Sequence, residues 1–491
     1  MFLLFESGSF VLFTLLGESM LRKILIANRG EIAVRVIRAC AEMGIRSVAI
    51  YSEADRFGLH VKKADEAYCI GSEPLAGYLN VYALVDLAAA TGCDAIHPGY
   101  GFLSENAQFA NVCKERGIVF IGPDAQVIAR MGDKTQARQA MIDAGIPVTP
   151  GTEGNLESVE QALDIAEKIG YPIMLKATSG GGGRGIRRCD TPEELQKNYQ
   201  RVISEATKAF GSAEVFLEKC IVNPRHIEVQ VLADTHGNTI HLYERDCSIQ
   251  RRNQKLIEIA PSPQLDEAQR QYIGGLAVLA AKAVGYTNAG TIEFLLDDNG
   301  RFYFMEMNTR VQVEHTITET ITGVDIVEEQ IRVAAGLTLR FKQHEIVRRG
   351  FAVQFRINAE DPQNDFLPSF GKISRYYAPG GPGVRTDTAI YTGYEIPPYY
   401  DSMLAKVIVS AMTWEDVIKR GERSLKDMGL YGIKTTIPYY LEIIKHPEFQ
   451  AATFNTGFVE KHPELVHYSN KPQPEQLAKV IAAAMAAHTG L

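Results

Sequence analysis

Short apolar runs alternate with amphipathic segments over residues 22–130, which is the pattern of a sheet whose strands are joined by helices. The predicted strands are Lys23–Ala27, Ser47–Tyr51, Ala67–Ile70, Ala95–His97 and Val119–Ile121, and the helices between them include Glu31–Met43 and Val81–Ala90. This order predicts a doubly wound parallel sheet over residues 21–132. The first strand-to-helix turn, Asn28-Arg-Gly-Glu31, lacks G-x-G-x-x-G, which argues against a nicotinamide site.

Helical and strand patterns mix in the next two regions. Residues 133–345 carry a predicted helix and several predicted strands, at Lys134–Ala144, Ile173–Lys176, Val215–Lys219 and His226–Ala233. Residues 346–462 open on the apolar run within Gly350–Pro362, and turn signals crowd at Ala378–Gly383. The second of these regions is therefore predicted to be a β-rich domain.

The tail, residues 463–491, contains a separate amphipathic pattern. After Pro472 and Pro474, apolar residues recur at helical spacing within Glu475–His488, at Leu477, Val480, Ile481, Ala484 and Met485. A helix is predicted here, and it packs either on its own domain or on another subunit.

The segment Thr291–Glu314 combines a hairpin signal with a run of polar residues. Asn299-Gly300 between apolar runs predicts a two-residue turn, which places Glu293 opposite Glu306. Facing carboxylates repel each other, so a divalent cation is predicted between them. Because side chains alternate along a strand, the polar residues should share one face, namely Glu306, Asn308, Arg310, Gln312 and Glu314. Met305, Met307, Val311 and Val313 should point into the core.

Composition bounds the class of protein. The chain has 491 residues, 46% hydrophobic and 22% charged, which predicts a globular protein of two to four domains. A net charge of -8 gives no electrostatic case for nucleic acid. Seven scattered cysteines without Cys-x-x-Cys favour the cytoplasm and oppose a structural zinc site. Residues 1–20 are too short to span a membrane, lack a basic n-region, and are interpreted as a mis-assigned start or a disordered extension.

Cationic and glycine-rich segments indicate anion binding. The cluster Ser179–Gly185 follows Lys176 and contains Arg184, which predicts a mobile, phosphate-covering lid, although no Gly-Lys-Ser/Thr P-loop is present. The segment Glu244–Lys255 indicates either an anion pocket or a solvated charged loop. Together with the carboxylate pair, these segments predict nucleotide-dependent activation of a small acid.

Over residues 21–460 the chain resembles biotin carboxylase, the ATP-grasp component of biotin-dependent carboxylases. The resemblance rests on His97–Asn106, the glycine cluster, Glu244–Lys255, Glu306–His315, Arg356–Pro362 and Pro397–Met403. It implies a Rossmann-like N-terminal domain, an ATP-grasp domain over 133–345 with a lid at about 150–218, and a β-rich biotin carboxylase C-terminal domain over 346–462. Asn253 departs from the histidine common at that position, which puts one nucleotide contact in doubt.

The resemblance also implies roles for individual residues. The ATP-binding residues would be Lys134, Lys176, Gly182, Gly183, Glu218, Lys219 and His226. Glu293, Glu306 and Asn308 would hold Mg²⁺ or Mn²⁺. Bicarbonate and biotin would be bound by Lys255, Arg310, Gln312, Val313, Glu314, Arg356 and Tyr100. Among these, Lys255, Arg310, Glu314 and Arg356 would be catalytic, with Glu314 as the base and Arg356 stabilising the biotin enolate.

The same resemblance predicts the partners. The chain lacks an Ala-Met-Lys-Met biotinylation sequence and is expected to act on biotin carried by a separate carboxyltransferase or carrier subunit. Arg251–Pro263 and the tail resemble the biotin carboxylase subunit of two-subunit pyruvate carboxylases, so pyruvate is the expected final acceptor. A homodimer is expected. The alternatives are a subunit of an acyl-CoA carboxylase, another ATP-grasp ligase, and a catalytically silent scaffold.

Overall fold

The computed structural model of the protein describes residues 21–152, 154–178, 185–210, 214–469 and 474–489. Two of the predictions above concern residues outside these ranges. They are the extension 1–20 and the greater part of the glycine cluster, which includes Gly182 and Gly183.

The N-terminal region is a parallel sheet covered by helices on both faces. Its strands are β1 (Lys23–Ile26), β2 (Arg46–Tyr51), β3 (Glu66–Cys69), β4 (Ala95–His97) and β5 (Val119–Phe120), in the order β3-β2-β1-β4-β5. Its helices are α1 (Gly30–Glu42), α2 (Leu59–Lys63), α3 (Val81–Ala90), α4 (Ala107–Glu115) and α5 (Ala125–Gly132). All strand pairs are parallel, so the predicted doubly wound sheet is confirmed.

A small three-stranded sheet follows helix α6 (Lys134–Asp143). Its elements are α7 (Val159–Ile169), β6 (Ile173–Ala177), β7 (Ile186–Cys189), α8 (Pro192–Phe210) and β8 (Val215–Lys219), and β6 pairs with both other strands in antiparallel register. The fully and partly buried apolar residues of this unit form one core that runs from Leu156 to Leu217. We call residues 150–218 the lid.

An eight-stranded antiparallel sheet forms the centre of the molecule, in the order β13-β12-β9-β10-β11-β14-β21-β19. Between residues 225 and 334 the strands and α-helices are β9 (Arg225–Ala233), β10 (Thr239–Arg251), β11 (Gln254–Ala260), α9 (Glu267–Ala283), β12 (Asn288–Leu296), β13 (Phe302–Asn308), α10 (His315–Thr322) and α11 (Ile326–Ala334). The segment Glu244–Lys255 is therefore strand and turn, so the solvated-loop alternative is wrong.

The C-terminal region is rich in strands, as predicted. Its strands are β14 (Phe351–Asn358), β15 (Glu360–Asp361), β16 (Leu367–Pro368), β17 (Gly371–Lys372), β18 (Arg375–Tyr377), β19 (Val384–Thr388), β20 (Glu395–Ile396), β21 (Met403–Ala411) and β22 (Gly429–Tyr431). Its helices are α12 (Trp414–Asp427), α13 (Ile437–Lys445), α14 (Pro447–Gln450) and α15 (Phe458–Lys461). Strand β14 pairs with β11, which joins this region to the central sheet.

The tail forms the predicted helix, α16 (Pro474–Thr489). Ile481 and Met485, two residues of its apolar stripe, are 50% and 63% exposed. Within the parts of the chain that the structure describes, no helix is both long and apolar enough to cross a membrane.

Candidate active site

The hairpin β12–β13 places Glu293 directly opposite Glu306, as predicted. The predicted two-residue turn is wrong, because Asp297 pairs with Arg301 around a three-residue loop whose last residue, Gly300, has φ +76°. The longer loop shifts the pairing by one residue. A β-bulge at Met305 shifts it back before Glu306, and so restores the facing carboxylates.

The polar residues that follow lie on a turn rather than on the strand. Strand β13 ends at Asn308, and Glu314 is the N-cap residue of α10, so the predicted single face of a long strand is wrong beyond Asn308. The turn still converges on the carboxylate pair. Gln312 Nε2 donates to Glu293 Oε1 at 2.8 Å, and the Arg310 guanidinium donates to both Asn308 Oδ1 at 2.9 Å and Gln312 Oε1 at 3.0 Å.

The core side of this segment follows the prediction in part. Met307 and Val311 are buried in hydrophobic cores. Met305 and Val313 are only half-buried. Met305 is the bulge residue, and the backbone carbonyl of Val313 accepts a hydrogen bond from Lys406 Nζ at 3.1 Å.

Lys255 is the centre of the charged cluster. Its Nζ lies 2.5 Å from a carboxylate oxygen of Glu228, 2.9 Å from one of Glu293 and 2.8 Å from one of Glu314. Burial alone would lower the pKa of Lys255, but the three carboxylates raise it well above its ordinary value. Lys255 is therefore a permanent cation that holds three glutamates around one point.

Glu314 is completely buried and held between two cations. Its Oε1 accepts from Lys255, and its Oε2 accepts from Arg356 at 3.0 Å. Burial favours the protonated form, but the nearby positive charges prevail, and the pKa of Glu314 lies below its usual value. Glu314 is therefore ionised at neutral pH and can accept a proton.

Two buried glutamates to which the sequence pattern assigned no role support these cations. Glu228 accepts from Arg245 Nε at 2.5 Å and also contacts Lys255. Glu258 forms a close ion pair with Arg356 and accepts from Gln354 at 2.8 Å. Burial, together with the charge of Glu314, raises the pKa of Glu258.

Signals for both glutamates are present in the sequence. In β9, Glu228 alternates with apolar residues between His226 and Gln230, so the three side chains share one face. Glu258 lies between two isoleucines in β11, and carboxylates so placed are rarely buried unless they are paired.

Of two predicted ATP-binding lysines, Lys134 interacts electrostatically with Glu306 of the carboxylate pair and also with the other, Lys176. Lys176 forms a close ion pair with Glu218, whose carboxylate also accepts from Thr149 at 2.9 Å. Burial and the charge of Lys176 lower the pKa of Lys134, whereas Glu306 and Glu218 oppose that shift. Lys134 therefore lies within electrostatic reach of both the lid and Glu306.

The remaining predicted ATP-binding residues divide into two groups. His226 lies at the carboxylate cluster, where its Nε2 is 2.7 Å from Glu293 Oε2. Lys219 is held inside the lid, where its Nζ donates to the carbonyls of Gly170 at 3.0 Å and Tyr171 at 2.8 Å.

Tyr100 approaches the cluster from the N-terminal sheet. Its hydroxyl forms a close hydrogen bond with Glu31, which pairs with Lys406 at 3.0 Å. Burial and the charge of Glu31 raise the pKa of Tyr100 well above 10, and Arg356 is near enough to oppose that shift.

Asn253, the departure from the family pattern, lies in the turn between β10 and β11. It has φ +63°, and its neighbour Arg252 has φ +49°. Asparagine adopts this left-handed conformation more readily than most residues do. Asn253 is exposed and immediately precedes Gln254, the first residue of β11, so this turn determines where the strand that carries Lys255 begins.

The donor set fits a divalent cation. Oxygen ligands are those that Mg²⁺ prefers, and Glu293 and Glu306 face each other with carboxylates. No hydrogen bond to the Glu306 carboxylate occurs within the described ranges, and burial together with Glu293 raises its pKa. Asn308 can serve as a further metal ligand only if its Oδ1 no longer accepts the hydrogen bond from the Arg310 guanidinium.

Comparison with known proteins identifies similar chains. The model of the biotin carboxylase N-terminal domain matches residues 20–128, and that of the biotin carboxylase C-terminal domain matches 354–461. The model of the carbamoyl-phosphate synthase L chain ATP binding domain matches 133–342.

Individual relatives match almost the whole chain. The 2-oxoglutarate carboxylase small subunit of Hydrogenobacter thermophilus is 54% identical over 472 residues, which cover 96% of this chain and 100% of the relative. A pyruvate carboxylase subunit of Methanothermobacter thermautotrophicus is 51% identical over 444 residues, 90% of each chain. The crystal structure of the Hydrogenobacter biotin carboxylase domain dimer with MgADP, ADP and bicarbonate is 56% identical, has a TM-score of 0.90, and covers 92% of this chain and 100% of that one.

Proposed function

Since this chain belongs to the biotin carboxylase family, we propose that it is the biotin-charging subunit of a two-subunit carboxylase whose final acceptor is a 2-oxo acid. The chain is an ATP-dependent biotin carboxylase. The observation that carries the proposed chemistry is the buried carboxylate of Glu314, which is held between Lys255 and Arg356 beside the facing pair Glu293 and Glu306.

In the proposed reaction, Glu314 accepts the proton of bicarbonate. Lys255 and Arg310 hold the bicarbonate anion, with Gln312 and the backbone of Val313 completing the pocket. The bicarbonate oxygen then attacks the γ-phosphorus of ATP, and ADP leaves. This step needs a base because bicarbonate is a weak nucleophile.

The second half of the reaction involves biotin. Carboxyphosphate breaks down to carbon dioxide and phosphate, the phosphate takes the proton of the ureido nitrogen, and that nitrogen attacks carbon dioxide. Arg356 stabilises the negative charge that develops on the ureido oxygen, because its guanidinium is held in place by Glu258. Tyr100 lines the biotin pocket beside it.

The nucleotide site is proposed to lie between the lid and the hairpin. Lys134, Lys176, Glu218, Lys219 and His226 would contact ATP, and the sequence resemblance adds Gly182 and Gly183 to the ATP-binding residues. Glu293 and Glu306, with Asn308, would hold Mg²⁺ or Mn²⁺. The cation would neutralise charge on the phosphate oxygens.

The names of the similar proteins, and the length over which each matches, support the acceptor assignment. The match to the 2-oxoglutarate carboxylase small subunit spans 472 residues, so with 491 residues in this chain it extends into the tail region 463–491. The Methanothermobacter pyruvate carboxylase subunit, whose name gives the acceptor expected from sequence, is matched over 444 residues. Biotin carboxylase 1 of Bacillus subtilis, whose name gives no acceptor, is 55% identical over 445 residues. The relatives whose names do give an acceptor thus favour a 2-oxo acid over an acyl-CoA.

The same proposal includes the assembly and its location. We expect a homodimer, as in the crystallised dimer of the similar Hydrogenobacter domain. We expect the enzyme to work in the cytoplasm, because all seven cysteines are free thiols.

Phosphate release from ATP and Mg²⁺ tests the half-reaction. Bicarbonate and free biotin are each added or omitted, and we expect turnover that requires bicarbonate and rises with biotin. ATP hydrolysis that is indifferent to both would contradict the proposed roles of Glu314 and Arg356.

Transfer of labelled bicarbonate tests the acceptor. The chain is purified with its biotin-bearing partner and supplied with pyruvate, 2-oxoglutarate or acetyl-CoA in separate reactions. We expect fixed label in the product of one of the two 2-oxo acids, which is reduced with borohydride before acid is added because a β-oxo acid loses its new carboxylate as carbon dioxide. Label in the acetyl-CoA product alone would overturn the acceptor assignment and leave the biotin half-reaction intact.

A further inference from the structure

Four side chains of ligand type converge in the C-terminal region, outside the active site. His446 and Glu448 stand at the start of α14, and His462 and Glu464 follow α15. His462 lies between two carboxylates. Its Nδ1 is 3.0 Å from Glu464 Oε1, and its Nε2 is 3.1 Å from Glu448 Oε1.

His446 completes the group. The centres of the His446 and His462 rings are 4.1 Å apart. One ligand atom from each of His446, His462 and Glu464 lies within 4.8 Å of the others. The Nδ1 of His446 accepts a long hydrogen bond of 3.3 Å from the Glu448 backbone N–H, and its Nε2 has no hydrogen-bond partner in the described segments.

We propose that His446, His462 and Glu464 bind one divalent transition-metal ion of the zinc class. Two imidazoles and a carboxylate form a donor set that suits Zn²⁺, Ni²⁺ or Cu²⁺, whereas Mg²⁺ prefers oxygen alone. Ligand atoms about 2.0–2.1 Å from a tetrahedral zinc ion lie about 3.4 Å apart. The 3.0 Å between His462 Nδ1 and Glu464 Oε1 therefore needs to widen by only a few tenths of an ångström.

Glu448 has a separate role behind the metal. With Nδ1 of His462 on the metal, Nε2 keeps its proton and donates to Glu448, which fixes the tautomer and raises the basicity of the ligand. Coordination needs the lone pair of Nδ1, so a proton carried by that atom would leave to solvent on binding. Coordination through Nε2 of His446 moves that ring's proton to Nδ1, and only the long 3.3 Å contact is lost.

A metal here would join two segments that are separate in sequence. It would clamp the start of α14 to the turn after α15, close to where the chain leaves for the tail helix α16. The active-site groups His226–Glu228–Glu293 and Glu228–Cys247–Glu314 also contain ligand-type atoms, so the experiment must separate them from this cluster.

The test uses chelator-treated full-length protein in the presence of saturating Mg²⁺ and without ATP, because the triphosphate of ATP itself binds Zn²⁺. Zn²⁺ is titrated by calorimetry, and Co²⁺ is added in parallel to observe the visible absorption of a tetrahedral site. We expect about one equivalent of Zn²⁺ per chain and a rise in unfolding temperature. His446→Asn and His462→Gln should each abolish this uptake, and Glu448→Gln should weaken it about 10–100-fold.

The substitutions are chosen to preserve folding. Asparagine is among the best N-cap residues, so His446→Asn keeps the helix cap while it removes the imidazole. His488→Asn in the tail is the matched control and should bind Zn²⁺ as the unmodified chain does. Bicarbonate-dependent ATPase in His446→Asn verifies the fold, and this variant decides the test if His462→Gln does not fold.

Two results would overturn the proposal. One is the absence of Zn²⁺ uptake by the unmodified chain. The other is uptake that survives both histidine substitutions, in particular uptake that is lost in Glu293→Gln instead, which would place the ion in the active site.

Discussion

At the scale of single residues, the geometry of the site depends on the pairing of its buried cations with buried carboxylates. Glu228 and Glu314 each pair with two cations, whereas in the described ion pairs Glu258 has Arg356 alone, so the loss of Arg356 leaves Glu258 without compensation. An unpaired buried charge is strongly destabilising, and it is relieved by protonation. The effect of each substitution on activity follows from which carboxylate it leaves unpaired.

Replacing Arg356 should separate the two half-reactions. We expect Arg356→Ala to lower biotin carboxylation by at least about 10²-fold, because the developing oxyanion loses its donor. Some bicarbonate-dependent ATPase should remain, because carboxyphosphate forms before biotin reacts. Both rates are measured on the same preparation, with Arg356→Lys as the variant that keeps the charge without the planar fork. Equal loss of the two activities would contradict the role assigned to Arg356.

Replacing Glu293 should change the metal requirement. Glu293→Gln keeps the size of the side chain and an oxygen that can accept from Lys255, but it removes one negative charge from the pair with Glu306. We expect the Mg²⁺ concentration at half-maximal ATPase to rise about tenfold, whereas the KM for ATP at saturating Mg²⁺ changes less. An unchanged Mg²⁺ titration would remove Glu293 from the metal site.

Two buried histidines should make the N-terminal region sensitive to acid. Burial lowers the pKa of His60 to about 4 and that of His97 to about 3, against about 6.5 in an unfolded chain. As pH falls below about 6.5, the unfolded chain takes up protons that the folded chain does not. The stability due to these neutral imidazoles is therefore complete above about pH 6.5 and is lost progressively towards about pH 3–4.

The measurement compares urea unfolding at neutral pH and about two pH units lower. Over this interval we expect the free energy of unfolding to fall by about 1–2 kcal/mol less in His60→Leu than in the unmodified chain, because one pKa unit corresponds to about 1.4 kcal/mol. His344→Leu, at an exposed position, is the control. An identical pH dependence in His60→Leu would show that His60 is not held neutral.

At the scale of elements, the lid has a core of its own. Leu175 is completely buried, and the apolar residues around it all belong to the lid. We expect Leu175→Ala to cost about 2–5 kcal/mol of lid stability and to raise the KM for ATP, with little change in the main unfolding transition. Ile273→Ala in the central core should instead lower the temperature of the main unfolding transition, with little change in lid stability or in the KM for ATP. Hydrogen exchange of the lid strands, measured together with thermal unfolding, distinguishes the two outcomes.

The tail helix offers a second prediction at this scale. Ile481 and Met485 are half or more exposed, and exposed apolar residues grouped on one helix often mark a contact with another chain. We expect deletion of residues 471–491 to weaken co-purification with the biotin-bearing partner while bicarbonate-dependent ATPase is retained. Undiminished co-purification would place the partner contact elsewhere.

At the scale of the whole molecule, most of the fold can be predicted from sequence, because local patterns determine it. The strand Ala95–His97 and the helix Val81–Ala90 have the bounds that their apolar patterns predict. The pairing of Ala260 with Ala352, which unites the central and C-terminal regions in one sheet, has no local signal, because it joins distant segments.

The candidate site shows the same limit. The facing glutamates of the hairpin are predicted from the sequence, although through a two-residue turn that the structure replaces by a longer loop and a bulge, whereas the turn from Asn308 to Glu314 is not predicted. Alternation applies only while the chain is a strand, and α10 begins at His315. The sequence carries a signal that Glu228 and Glu258 are buried, but not which cations pair with them, because those cations lie on other strands of the sheet.

The hairpin β12–β13 reaches its register through two departures from regularity that cancel. Its loop is one residue longer than the shortest form, and Met305 adds one residue to the strand. Glu293 and Glu306 are therefore paired as they would be in a hairpin with a two-residue loop and no bulge. Either irregularity alone would turn one of the two carboxylates to the other face of the sheet. One residue inserted or deleted between this loop and Glu306 would turn that carboxylate to the other face of the sheet, so we expect deletion of Met305 to abolish the facing pair and with it the metal-dependent activity.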